Sequence, residues 1–356
     1  MAKRKHNKKK STKNTKTPRW FKIFCYCCVV LIVIALVSGI ILRRERCQNS
    51  EAVRLFLPEG IEYEAVVDTL IHRKCITSRE GFDAMARLRR YKNHVKSGSY
   101  IVEAEMPYYD LVNKLRAGNQ DPIRITIGAF RSLDALCGKL GNRFEFSGKE
   151  LYAMATNDSV CRSYELSRPT MIALFIQNTY EVYWNTSVQG FMDRMAREYN
   201  HFWNSSRLDQ CEALHLTPAE VTTLASIVEE ETNYDKEKPL IASVYLNRIR
   251  KKMPLQADPT VRYAVGDFSL RRILKKHTEI NSPYNTYRFA GLPPGPICIP
   301  SAVSIDAVLK NERTDYLYFC AKEDFSGRHN FASTLKEHQR NAEAFHKALN
   351  NRKIYK

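Results

Sequence analysis

Three patterns of apolar and polar positions succeed one another along the chain, and each predicts a different kind of element. The first is a run of twenty residues without a charge, 23–42 (IFCYCCVVLIVIALVSGIIL). That length suits a helix crossing a hydrocarbon layer about 30 Å thick. The second pattern is a set of short segments between 52 and 127. Val53–Leu57, Gly98–Val102 and Ile123–Ile127 read as strands. Tyr63–Arg73, Arg79–Arg90 and Pro107–Ala117 have helical spacing, the last closed by Gly118. The third pattern is a longer helical periodicity further on, with 132–204 mainly helical and Phe175–Trp184 rich in aromatic residues that are best read as core.

The clearest helix is Thr217–Asn233 (TPAEVTTLASIVEEETN). Thr217 can cap it, Pro218 suits the first helical position, and Glu220 completes a capping box. Val221, Leu224, Ala225, Ile227 and Val228 predict one buried face. Three glutamates follow, and at about 100° per residue they cannot share one environment. Glu231 continues the apolar stripe of Leu224 and Val228, Glu229 lies toward one flank, and Glu230 points away. A carboxyl on an apolar face is costly to ionise, so its pKa should rise toward the range a general acid needs. The same run also resembles a solvated helix end. Against that, acidic residues at a helix C-terminus oppose the macrodipole, at roughly 0.3–1 kcal/mol each.

A second amphipathic helix, Asp235–Lys252, should pack on the first as a hairpin. Beyond it, Pro254–Thr260, Ser282–Tyr287 (SPYNTY) and Gly291–Pro296 (GLPPGP) read as rigid loops beside the candidate acid. Ser301–Asn311 reads as a helix, Tyr316–Ala321 as a strand, Gly327–Phe331 as a turn, and Leu335–Leu349 as a closing helix.

Composition changes this picture in two places. Of the 356 residues, 44% are hydrophobic, enough for real cores. The net charge of +18 is concentrated in residues 1–22, which hold ten Lys/Arg and no acid. Such a tail beside an apolar run, with Arg43, Arg44 and Arg46 after it, predicts an uncleaved anchor with its N-terminus in the cytoplasm. A cleaved signal peptide and a buried core helix are the alternatives. No nucleic-acid-binding motif accompanies the tail, and contact with anionic lipid is its simplest use. Of the ten cysteines, Cys25, Cys27 and Cys28 lie in the apolar run; the other seven are scattered, with no C-x-x-C pair and no zinc spacing, so structural filling is the expected role of most, with no metal site and no cofactor.

The chain also resembles a known family. ASIVEEET (225–232), SVYLNRI (243–249), LQADPTVRY (255–263), SPYNTY (282–287), GLPPGPI (291–297), YLYF (316–319) and HNF (329–331) are similar, in order and spacing, to the motifs of MltG (YceG-like) endolytic murein transglycosylases. Phe175–Tyr180 departs from the family's F-x-P-D-T-Y stretch, lacking its proline and acid. The resemblance implies an α+β protein with a single transmembrane helix (23–42) after a basic tail (1–22). A small LysM-like α/β module (47–127), a helical connector (128–210) and a mixed α/β catalytic domain (211–356) follow. It implies a lyase that cuts the MurNAc–GlcNAc β-1,4 bond within peptidoglycan strands and leaves 1,6-anhydroMurNAc ends, terminating nascent glycan polymerisation. Peptidoglycan synthases and the cytoplasmic membrane are its expected partners, and nucleic acid is not. The body would lie on the outer side of that membrane. The resemblance places the essential glutamate on Glu231, with Glu229 as a secondary acid. Gln256, Asp258, Thr260, Tyr284, Asn285 and Tyr287 would line the sugar groove. A non-catalytic glycan-binding scaffold and a conventional hydrolase remain the rival readings.

Overall fold

In the computed structural model, residues 19–270 and 272–351 are described. They form two compact units that divide between Asp121 and Pro122.

The first unit opens with helix α1 (Arg19–Arg44), which contains the expected span. The side chains of residues 34–44, and the basic tail up to residue 18, lie outside the described residues. Among the described residues no helix is long and apolar enough to cross a membrane. Strand β1 (Val53–Leu57) leads to helices α2 (Tyr63–His72) and α3 (Arg79–Leu88). Strand β2 (Gly98–Val102) returns antiparallel, pairing Val53 with Val102 and Leu57 with Gly98. Helix α4 (Tyr108–Ala117) ends on Gly118, whose φ of 75° is a left-handed cap that glycine adopts without strain. Leu55, Leu57, Val66, Leu70, Phe82, Tyr100, Leu111 and Leu115 fill its core.

Strand β3 (Ile123–Ile127) corrects the sequence-based boundary, because it belongs to the second unit. It pairs antiparallel with β4 (Asn178–Val182), Ile123 opposite Val182 and Ile127 opposite Asn178. Ile123, Ile125 and Ile127 are buried while Arg124 and Thr126 are exposed, so the strand needs an apolar layer on one face. Helices α5 (Leu133–Gly141), α6 (Gly148–Ala155), α7 (Asp158–Ser163) and α8 (Val188–Phe202) supply that layer. The aromatic segment before Trp184 is core, as expected: Phe175 and Tyr180 are buried there.

This layer is not a separate connector. Ile299 donates its amide to the Phe130 carbonyl and accepts from Gln177 Nε2 at 2.6 Å. Gly295 lies against Pro169 so closely that a Cβ would fall 2.1 Å from the Pro169 carbonyl oxygen. A larger residue cannot fit without moving backbone.

The rest of the second unit surrounds helix α10 (Pro218–Glu231), reached through α9 (Ser205–Leu214). Its N-terminal capping box is formed by Thr217 and Glu220, as the sequence predicts. The expectation of one buried face is too modest. Every residue from Val221 to Val228 is buried, Thr222, Thr223 and Ser226 included. These hydroxyls are tolerated because each bonds a carbonyl of its own helix, Thr222 to Pro218, Thr223 to Ala219 and Ser226 to Thr223. Helix α11 (Lys238–Arg250) packs on α10 as foreseen. Helix α14 (Ala302–Leu309) also packs on α10, through Ile305, Val308 and Leu309. Helices α12 (Asp258–Val265) and α13 (Lys275–Thr278) precede it. The segment 327–331 is more than a turn, since β6 (His329–Ala332) pairs with β5 (Tyr318–Ala321) before the last helix, α15 (Leu335–Asn351). All ten cysteines are free thiols, and six of them are buried.

Candidate active site

The three glutamates ending α10 occupy three different environments, and this sorting defines the site. Glu230 reaches Arg131, whose Nε and Nη2 donate to its two carboxylate oxygens at 3.0 and 2.9 Å. The sequence turns it away from the apolar stripe, yet its side chain is only 13% exposed and is bound in a fork rather than solvated.

Glu229 turns to the start of α14. Its Oε2 accepts from the Ser301 hydroxyl at 2.6 Å and from the Ser301 amide at 3.3 Å. It also accepts from the Ser304 hydroxyl and lies 3.3 Å from Lys238 Nζ. Burial alone would raise its pKa, yet the two serines and the ammonium outweigh that and hold it below the usual carboxylate range. Glu229 is an ionised tie between helices, and no proton is available from it near neutrality.

Glu231 lies on the wall of a cavity of about 270 Å³, shared with Tyr245, Arg248, Leu255, Gln256, Asp258, Tyr287, Phe319 and His338. That is close to the lower end of ligand-pocket sizes, roughly 300–1,000 Å³. The Tyr245 hydroxyl donates to Glu231 Oε1 at 2.5 Å. Burial pushes the Glu231 pKa up to about 7. The Tyr245 hydrogen bond opposes this, the Asp258 carboxylate adds to it, Arg262 opposes it, and Glu230 adds to it. The surroundings are therefore less greasy than the apolar stripe suggests. Dense packing and a neighbouring acid, more than hydrocarbon alone, keep the proton in place.

Asp258 is positioned by a helix the sequence reading took for a loop. Pro259 stands at an early position of α12, where its missing N–H costs nothing, and Asp258 is in the first turn. Its Oδ1 accepts from the Tyr287 hydroxyl at 2.6 Å. Gln256 adopts a left-handed φ of 52°, uncommon for a residue other than glycine. Its amide bonds Thr286 O at 3.0 Å, and its Oε1 accepts from Arg248 Nη1 at 3.3 Å.

Of the residues the resemblance assigned, Glu231, Gln256, Asp258 and Tyr287 come together in this cavity. Thr260, Tyr284 and Asn285 are outside its lining. Thr260 is fully buried, its hydroxyl 2.8 Å from that of Thr286, which also accepts from the Ala257 amide. Tyr284 packs on Tyr263 with ring centroids 4.7 Å apart. Asn285 donates to the Thr278 and Ile280 carbonyls and accepts from the Tyr287 amide at 3.1 Å. These three residues hold the loops that present Gln256, Asp258 and Tyr287.

Sequence reasoning missed Tyr245, Arg248 and His338 as members of the site. Tyr245 and Arg248 were legible in part. Three apart on α11, they place a hydroxyl and a guanidinium on one side of a buried helix. Nothing in the sequence ties His338, on α15, to the cavity.

The role of Tyr245 is testable. Tyr245→Phe removes the hydrogen bond that favours the ionised form, so the Glu231 pKa rises further. If Glu231 is the acid, the alkaline limit of activity is expected to move to higher pH while kcat falls. An unchanged pH–rate profile in this variant rejects the coupling.

The model of the YceG-like family matches residues 55–344. An endolytic murein transglycosylase of Bacillus subtilis is 29% identical over 313 residues, covering 83% of this chain and 86% of that protein. One of Streptococcus pneumoniae serotype 2 is 28% identical over 333 residues, which is 85% of this chain but 60% of the streptococcal protein. Among solved structures, a YceG-like protein of Listeria monocytogenes superposes with a TM-score of 0.54 at 25% identity, over 82% of this chain and 99% of that one.

Proposed function

The chain belongs to the YceG-like family, and with that as premise we propose that it is an endolytic murein transglycosylase working from the cytoplasmic membrane. The observation that carries the catalytic assignment is Glu231, a carboxyl with a pKa of about 7 opening onto a cavity it shares with Asp258. A carboxyl of that kind can give a proton near neutrality and take one back.

The reaction needs one acid that becomes a base. Protonated Glu231 gives its proton to the glycosidic oxygen between MurNAc and GlcNAc, and the C1–O bond breaks. Positive charge develops on the MurNAc ring, where the N-acetyl carbonyl of the sugar can meet it. Asp258, held in place by the Tyr287 hydroxyl, adds a negative field from the same cavity. Tyr245 donates to the carboxylate that Glu231 has become. Glu231 then removes the proton from the 6-hydroxyl, and O6 bonds to C1. The product is a 1,6-anhydro end, water is not consumed, and Glu231 regains its proton.

The anchored topology rests on the sequence: twenty uncharged residues, a basic tail before them and arginines after them. The catalytic unit would face outward, where glycan strands are, and the first unit is read as a LysM-like module. Cutting inside nascent strands would make the protein a terminase working beside peptidoglycan synthases.

Mass spectrometry of purified murein after digestion tests the reaction class. Strand fragments ending in 1,6-anhydroMurNAc are the expected product. Reducing MurNAc ends alone would instead mean that a water molecule, not O6, attacks C1.

A further inference from the structure

We propose that Arg248 and His338 form a subsite, in the same cavity as Glu231, that binds an acyl oxygen of the glycan, foremost the lactyl carbonyl of the muramyl sugar. The proposal rests on the transglycosylase reading above and extends it to how the muramyl residue is recognised.

Arg248 is a buried cation, only 8% exposed, that lines this cavity. Among the described residues no carboxylate lies within ion-pair distance of it. Buried charges are ordinarily paired, because leaving water is costly for an ion. Its neighbours give it carbonyl dipoles instead. Nε donates to Leu317 O at 2.7 Å, and Nη1 donates to Leu255 O at 2.8 Å, Pro254 O at 3.2 Å and the Gln256 side chain at 3.3 Å. These bonds take up Nε and Nη1; among the described residues Nη2 makes none, which leaves it for a ligand.

His338 lines the same cavity from α15. Its Nδ1 is enclosed and has no hydrogen-bond partner. A buried orphan N–H is rarer than a buried orphan acceptor. We therefore assign the lone pair to Nδ1 and the proton to Nε2, which makes Nε2–H a donor. Burial and the nearby Arg248 charge both lower the His338 pKa, which keeps the ring neutral. One aromatic ring organises both groups: Arg248 Cζ lies 5.3 Å from the Tyr318 centroid, and the His338 ring stacks on Tyr318 at 5.3 Å with 19° between planes. The stack sets the plane of the His338 ring, and the ring of Tyr318 attracts the guanidinium.

Two donors from a cation and a neutral imidazole match a group that only accepts. A sugar hydroxyl both gives and accepts, whereas a carbonyl or carboxylate oxygen only accepts. Murein offers two such groups, the N-acetyl carbonyl on every sugar and the lactyl carbonyl on every second one. The uncompensated guanidinium favours the lactyl group, which carries a full negative charge wherever its peptide is absent.

The test measures binding with the full chain in detergent, in a Glu231→Gln background that stops turnover. Two probes separate the two carbonyls: a chito-oligosaccharide, which has N-acetyl groups alone, and peptide-free murein glycan, which carries lactyl carboxylates as well. His338→Phe keeps the stack on Tyr318 and removes the donor. It is expected to weaken binding of the murein glycan by about five- to tenfold, with the chito-oligosaccharide unaffected and His338→Gln recovering most of the loss. An equal loss for both probes supports the acyl-oxygen subsite with the N-acetyl carbonyl as its occupant. Unchanged affinity for both probes in His338→Phe overturns the subsite. A parent protein that binds neither probe overturns the transglycosylase reading instead.

Discussion

Glu231→Gln is expected to abolish strand cleavage while the protein stays folded. General acid–base catalysis contributes about 10²–10⁴-fold in rate, and in the proposed mechanism one residue performs both proton transfers, so the loss should reach at least the upper end of that range. Glutamine keeps the volume and can still accept the Tyr245 hydroxyl, so packing is preserved. Stability should if anything increase. The Glu231 pKa is raised from 4.5 to about 7 in the folded protein, so the folded state holds a proton that the unfolded state gives up. Between those values stability falls as pH rises, and above about 7 the full penalty is in force, a few kcal/mol at most. Removing the titrating group removes the penalty. Melting curves at pH 8 should place the variant at or above the wild type, with no anhydro ends in its digests. Substantial cleavage by Glu231→Gln, alongside an inactive Glu229→Gln, would transfer the catalytic role to the neighbouring acid.

The second large effect concerns that neighbour through its partner. Lys238 is 6% exposed in its side chain and Glu229 19%, so their ion pair is shielded from water. Lys238→Met strands the Glu229 carboxylate among Ser301 and Ser304. Breaking a buried pair from one side costs about 3–5 kcal/mol, and the remaining serine bonds and partial exposure place this case near the lower figure. For a unit of this size a loss of ~3 kcal/mol lowers Tm by about 6–12 °C. The pH dependence has the opposite sign to that of Glu231. Glu229 is held below its ordinary pKa, so its contribution is complete above the usual carboxylate range and is lost as pH falls through the depressed value. The variant should lose part of that acid dependence along with its stability. Well below its new Tm, kcat should be little changed. A Lys238→Met protein as stable as the wild type would mean that the pair is not a structural tie.

These two neighbours show what the sequence can and cannot reveal. Helical phase alone separated Glu229, Glu230 and Glu231 and put Glu231 on the stripe with Leu224 and Val228. The cap at Thr217 and Glu220 followed from local chemistry within one turn. The partners that give each acid its character come from far along the chain: Ser301 and Ser304 for Glu229, Arg131 for Glu230, Asp258 and Tyr287 around Glu231. No local pattern encodes such pairings, and no period connects His338 to a helix ending at Glu231. Strand β3 was misassigned for the same reason. Ile123, Ile125 and Ile127 predict a strand with one apolar face, but not that Asn178–Val182 supplies its pairing edge. Asp258 was read as loop because prolines crowd it, although proline at an early helical position is a start signal.

The tight contact of Gly295 with Pro169, together with the Ile299 bonds to Phe130 and Gln177, limits how the molecule can be divided. A shortened chain that begins at residue 211 would keep every cavity-lining side chain and still lose the surface against which the GLPPGP segment is moulded. Ile299, buried in the intact protein, would face water, and the chain leading into the Ser301–Glu229 tie would have nothing to rest on. The smallest portable catalyst therefore starts near Pro122, and an evolutionary exchange of the active-site half alone would have to carry Pro169 and its neighbours along with it.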